Sequence, residues 1–205
     1  MAFPQVASVT PSQFSSAATS HSVAFPATVN AGDLLIILAA SSNTGTQTPA
    51  ASGFTLIGGN NNRCYLLAKV AAGTEGGSSV SLTMTNSATC AAQVIRITGW
   101  YGDLAGVENA TANSVGSSAQ ANPPSVTASW GSDDNLWLAC CGGVQDFTIT
   151  GIPTDYTNDV LTDSGGGAAT VVSTRRELAS ATNDPANFAG INPTTANRSY
   201  TIVIR

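Results

Sequence analysis

Apolar and polar positions alternate with a period of two along much of this chain, and between the alternating stretches stand short unbroken apolar runs. Residues 34–40 form one such run, from Leu34 to Ala40, entered through the turn signal Asn30-Ala31-Gly32-Asp33. A strand with one buried face alternates, so a continuous run predicts a strand covered on both faces. Further strands are predicted at 64–70, 80–85 and 91–98; in the second, Val80, Leu82 and Met84 share one face and hydroxyls take the other. Beyond the connection from Gly99 to Pro124, the pattern predicts strands at 125–129, 136–141, 147–150, 170–175 and 199–205. Gly76-Gly77, Gly142-Gly143 and Gly165-Gly166-Gly167 punctuate them. No stretch of ten or more residues has a capped 3.6-residue period. The chain reads as all-β.

The pattern also repeats. Pro26 to Ile36 and Pro124 to Leu138 both run from proline through a β-branched segment and a Gly/Asp turn into an apolar strand. Gly53-Phe54-Thr55-Leu56 parallels Thr154-Asp155-Tyr156-Thr157, and Val94-Ile95-Arg96-Ile97 parallels Ile202-Val203-Ile204-Arg205. Asp33 and Asp134 take equivalent places as turn formers. A repeat of about 100 residues is too long for a solenoid unit or a propeller blade. Two such halves supply the two facing sheets of one sandwich. The expected organisation is therefore a single jelly-roll-like β-sandwich over 26–205, with pseudo-repeats 26–110 and 120–205. Residues 1–25 precede it as an extended arm or an edge strand. Two separate small sandwiches are the alternative.

Composition narrows the function. Only 9% of residues are charged, and the net charge is −5, with one lysine (Lys69) and three glutamates (Glu75, Glu108, Glu177). A coiled coil is excluded, and without clustered Lys and Arg no nucleic-acid partner is expected. The run 34–40 is too short to span a bilayer, and the first residues lack the basic start of a secretory signal. The expectation is a protein made in a cytosol, with no membrane partner. Cys140 and Cys141 are adjacent within a strand and point to opposite faces. All four cysteines read as reduced, core or near-core residues, with a Cys64–Cys90 bridge as the alternative.

Candidate chemistry is sparse. Asp163-Ser164-Gly165-Gly166 resembles the surroundings of a serine-protease nucleophile, but the lone histidine, His21, lacks a matching context. Asp155, Asp159 and Asp163 recur every four residues without the spacing of a calcium loop; they read as solvated loop acids, with a loop calcium site completed by backbone carbonyls as the alternative. Nothing marks a glycosidase pair of carboxylates. No catalytic residue, metal ligand or cofactor site is assigned. Trp100, Tyr101 and Trp130 sit at strand ends, where protein contact, ordinary packing and sugar stacking all remain open, whereas Trp137 lies within an apolar strand.

The pattern Pro-x-x-Val-x-Ala-Gly-Asp-Leu-Leu-Ile over 26–36, Gly53-Phe54-Thr55-Leu56, and Tyr65, Lys69, Val70 and Ala71 resembles a loose group of tailed-phage structural proteins. Asp184-Pro185-Ala186-Asn187-Phe188 and the closing Tyr200–Arg205 strand extend the likeness over nearly the whole chain from about residue 20. The resemblance implies a jelly-roll virion component, above all a capsid decoration (cement) protein. Such a protein, often a trimer, would bind the major capsid protein on the outside of the particle. A tail-fibre or receptor- and glycan-binding module is the alternative. The candidate contact residues are Phe3, Pro4, Val6 and Phe14 of the arm with Trp100, Tyr101 and Trp130.

Overall fold

The computed structural model describes residues 2–59, 63–113 and 118–205. Among the described residues, ten main strands and the two-residue strand Ala50–Ala51 build two antiparallel sheets. The first half of the chain contributes β1 (Gln5–Ala24), β2 (Leu34–Ser41), β3 (Thr55–Gly58), β4 (Cys64–Val70) and β5 (Ser79–Thr98). The second contributes β6 (Val107–Asn113), β7 (Asn135–Gly143), β8 (Thr157–Asp163), β9 (Thr170–Leu178) and β10 (Asn197–Ile204). The first sheet is ordered β1-β5-β2-β4-β3, and Ala50–Ala51 adds a short pairing to β5; the second is ordered β6-β10-β7-β9-β8. Counted within each half, the order is the same: first, fifth, second, fourth, third. The repeat in the sequence is thus a repeat in topology, and each half makes one sheet of a β-sandwich.

The face-to-face core takes alternate residues from both sheets: Leu34, Ile36 and Leu38 of β2 meet Leu136, Leu138 and Cys140 of β7, flanked by Ile95, Ile97, Ile202 and Ile204. The intervening residues of β2, Leu35, Ile37 and Ala39, face the outside of the first sheet, where Val23, Phe25, Leu82 and Met84 cover them. On the second sheet Trp137, Ala139 and Cys141 are covered by Ala121, Val126, Phe147, Tyr156 and Phe188. Each central strand is therefore buried on both faces, which is why its sequence does not alternate. Two short pairings, Thr182–Asn183 with Val126–Thr127 and Phe188–Ala189 with Gln120–Ala121, belong to the second cover.

Residues 5–24 form the edge strand β1, paired with β5 from Gln5↔Thr98 to Ala24↔Ser79. Pro11, which has no N–H to give, is tolerated because the strand has a ladder on one side only. Residues 80–85 and 91–98 belong to one twenty-residue strand. Across the polar stretch between them, Gln47 replaces a strand partner: its amide donates to the Asn86 carbonyl and accepts from the Asn86 N–H. Strand 125–129 shortens to Val126–Thr127, and 147–150 makes only the isolated bridge Thr148↔Asn192, with a second, Gly151↔Ala189, just beyond it.

The repeat register also needs correction. Leu34 pairs with Ile97, and its counterpart Leu136 pairs with Ile204. Ile97 is therefore equivalent to Ile204, one residue away from the motif alignment, and Asp33 corresponds to Asn135 rather than Asp134. A one-residue slip exchanges the two faces of a strand. Under the corrected register Gln93 and Tyr200 are counterparts, and both bind across the sandwich. Gln93 Nε2 donates to the Val160 carbonyl (2.8 Å) and Thr162 Oγ1 (3.0 Å), and Ser173 Oγ donates to its Oε1 (2.7 Å). Tyr200 Oη donates to the Cys64 carbonyl.

All four cysteines are free and buried. Cys64 faces the inter-sheet core and Cys90 the outer cover, so the two thiols lie on opposite faces of one sheet. Burial pushes the Cys64 thiol up to about 12.

Glu75 supplies an acid-sensitive tie. Its carboxylate accepts from the amides of Ala72, Gly73 and Thr74 and pairs with Lys69 Nζ at 2.7 Å. Burial alone would raise its pKa, but the Lys69 ammonium and the backbone donors override it and bring it to about 2. A carboxyl with a depressed folded pKa adds stability that is complete above the unfolded value and is lost as pH falls through the folded one. Stability is expected to drop between about pH 4.5 and 2. The Glu75 share is about 2 kcal/mol, because water screens the partly exposed Lys69. Urea titrations of the wild type and Glu75→Gln should converge as pH falls; parallel curves would refute the assignment.

Candidate contact surface

The surface is assembled at one end of the sandwich. Gln5 opposite Thr98 and Leu34 opposite Val70 mark that end of the first sheet; Val107 opposite Ile204 and Leu136 opposite Glu177 mark it in the second. Chain leaving β5 at Gly99 crosses here to the second sheet through the turn Leu104–Gly106, where the Asp103 carboxylate accepts from the Ala105 N–H. The Tyr101 N–H donates to the Arg205 carbonyl (2.6 Å), and the Arg205 N–H donates to the Gly106 carbonyl (3.1 Å). The crossing is thereby tied to the residue after β10.

These ties place aromatic rings around one cation. The Arg205 guanidinium lies 4.0 Å from the Tyr101 ring centroid and 4.9 Å from that of Trp130, within cation–π range of both. The Trp130 indole donates to Asn135 Oδ1 (3.0 Å), and Ser129 donates through its N–H (2.9 Å) and its hydroxyl (2.5 Å) to Glu108. Trp100 is half-buried against the inter-sheet core and donates to the Gly32 carbonyl at 2.7 Å. Tyr101 is 53% exposed, and Val70 is 37% exposed at the last position of β4. Among the described residues these two are the exposed large hydrophobics, and both stand at this end.

The arm residues divide. Phe3 and Pro4 enter β1 at the same end, Phe3 half-buried and Pro4 buried. Val6 packs against the inter-sheet core, and its carbonyl accepts from Arg175 Nη1 (2.9 Å). Phe14 lies far along β1, opposite Cys90, with its ring 4.7 Å from that of His21. It belongs to the outer cover of the first sheet, so it does not join the other contact candidates. Sequence reasoning missed Val70 and Arg205. A charge closing an apolar strand was the available signal for Arg205, and the shifted repeat alignment obscured it by pairing it with Ile97.

The residues with candidate chemistry lie apart. Ser164 Oγ donates to Asp146 Oδ1 (3.0 Å), while His21 Nε2 lies 3.0 Å from the Ala88 carbonyl, so these two form no nucleophile–base pair. Asp146 also accepts from the amides of Ser164, Gly167 and Ala169 and holds the glycine-rich loop; burial opposes the charge, but these donors keep its carboxyl below the usual range. Asp163 takes Gln13 Nε2 and the Gly165 N–H, and Asp155 pairs with Arg176 at 3.2 Å. Among the described residues no group of three or more His, Cys, Asp or Glu is placed to hold a metal ion. Comparisons with family models, curated proteins and solved structures found no match.

Proposed function

We propose that this chain is a non-enzymatic structural protein of a phage particle, a capsid decoration protein that binds the assembled lattice of major capsid protein, as a trimer. Its contact surface is the end of the sandwich carrying Tyr101, Trp130, Arg205 and Val70. The observation that carries this reading is the convergence of both exposed large hydrophobics on that end, beside a cation held against two aromatic rings. Aromatic residues and arginine dominate the energetics of protein interfaces. The motif resemblance supplies the virion context, and the acidic balance keeps the protein from nucleic acid during assembly.

Quantitative mass spectrometry of purified particles tests the location. A copy number near that of the major capsid protein, or a fixed large fraction of it, is expected. A few copies per hundred capsid subunits would overturn decoration in favour of a tail or fibre module, and absence from particles would overturn both. On the particle, Tyr101→Ala is expected to weaken binding by about thirtyfold, the loss of one aromatic anchor of about 2 kcal/mol. The ring stands largely in water, so the fold should be retained. Undiminished particle occupancy by Tyr101→Ala at limiting concentration would show that another face makes the contact.

A further inference from the structure

The two-stranded ribbon of β1 and β5 folds back on itself. Ser12 Oγ accepts from the Ala24 N–H at 3.1 Å, although the two residues are twelve apart in one strand. Twelve extended residues would span roughly 40 Å. Register shifts between Phe14, Ala18 and Ser20 mark the bend. Beyond it, residues 18–24 with 79–88 lie across the outer face of the first sheet, where Val23, Leu82 and Met84 cover Leu35, Ile37 and Ala39.

We propose that His21 is an acid-sensitive latch on this ribbon, whose protonation favours release of the folded-over end from the first sheet. The latch lies far from the contact surface and does not depend on it. The His21 side chain joins both sides of the bend. It is 3% exposed, its ring lies 4.7 Å from that of Phe14 on the near arm, and its Nε2 lies 3.0 Å from the Ala88 carbonyl of β5. With the ribbon closed, a proton on this ring would place a charge out of water; with the ribbon open, the same charge is hydrated.

No acid within these elements offsets that cost. Gln5–Ala24, Leu34–Ser41, residues 42–51 and β5 as far as Ile95 contain no charged side chain. The titratable neighbours in the same apolar cluster are Cys90 and Tyr65, and burial raises both, Tyr65 to about 12, so each stays neutral. Lys69, on the strand of Tyr65, is paired with Glu75. From the second half, Gly166 packs against Ser15 at the bend. The acids of that loop are engaged: Asp163 accepts from Gln13 and Gly165, and Asp146 from the amides of Ser164, Gly167 and Ala169. Burial therefore lowers the His21 pKa from 6.5, against the opposing pull of the Ala88 and Ala18 carbonyls. A histidine with a lowered folded pKa binds its proton more readily once released. The closed ribbon thus keeps its full stability above pH 6.5 and loses it as pH falls from there to the folded value. The Glu75 window, below about pH 4.5, is separate.

The test is hydrogen exchange by NMR on the 15N-labelled full chain between pH 7.5 and 5, normalised to unstructured-peptide rates, with the ring of the single histidine titrated in parallel. The ring is expected to titrate below 6.5. The opening constant of ribbon amides in 18–24 and 80–88 should rise by up to about tenfold per pH unit, while amides of β7 and β10 stay protected. His21→Gln keeps a donor for the Ala88 carbonyl but takes up no proton, so its ribbon should open independently of pH. A ring titrating at or above 6.5, ribbon protection that ignores pH, or core amides opening in step with the ribbon would overturn the proposal. So would an undiminished pH dependence in His21→Gln. The wild-type titration decides the matter even where the variant fails to fold.

Discussion

Replacing Gln93 by leucine is expected to lower the free energy of unfolding by about 4 kcal/mol, although leucine is more apolar and close in size. Gln93 is fully buried within the sandwich, and three groups of the opposite sheet depend on its amide. Leucine would leave the Val160 carbonyl and the hydroxyls of Thr162 and Ser173 facing hydrocarbon. Each orphaned group costs about 1–3 kcal/mol, more than the gain from one apolar side chain. Its counterpart, Tyr200→Phe, removes the bond to the Cys64 carbonyl and should cost about 1 kcal/mol. Chemical denaturation of the two variants decides it: equal, small losses would mean that these polar bridges do not hold the sheets in register.

Gly59→Ala is expected to cost at least about 3 kcal/mol. The backbone there has φ +81°, and an added Cβ would lie 2.2 Å from the Cys64 carbonyl oxygen and 2.3 Å from Tyr200 Oη. Both obstacles belong to the hydrogen bond that closes the second half on the first, so the methyl must break it or move β4. Gly32→Ala is the internal control: φ is +87°, but the space is open, leaving a cost of about 1 kcal/mol for the backbone conformation alone. Similar midpoints for the two variants would rule out the steric argument.

The fold was legible where burial left a mark on residue type. The runs at 34–40 and 136–141 announced strands covered on both faces, and their turn contexts announced the duplication. Edge strands were harder to see. Val107–Asn113 and Thr157–Asp163 carry Asn, Asp and Thr because each is paired on one side only, so they lack an apolar signature. The polar middle of β5 resembled a break because its pairing is completed by the side chain of Gln47, 39 residues away. At the contact surface, the tryptophans and Tyr101 stood out by type. Arg205 did not, because the two rings beside it come from distant segments, which nothing local in the sequence announces.

Each sheet is closed by pairing its own first strand with its own last: Gln5 opposite Thr98 in one half, Val107 opposite Ile204 in the other. All four ends of the duplicated unit therefore emerge on the same side of the molecule. Phe3 and Pro4 open the first unit, Trp100 and Tyr101 close it, the turn at Leu104–Gly106 opens the second, and Arg205 closes it. The proposed contact surface is a seam between the two units, and three of its residues, Tyr101, Trp130 and Arg205, stand outside the strand ladders. Such a surface can be rewritten residue by residue while both sheets keep their register, so one scaffold can follow a changing partner without being refolded.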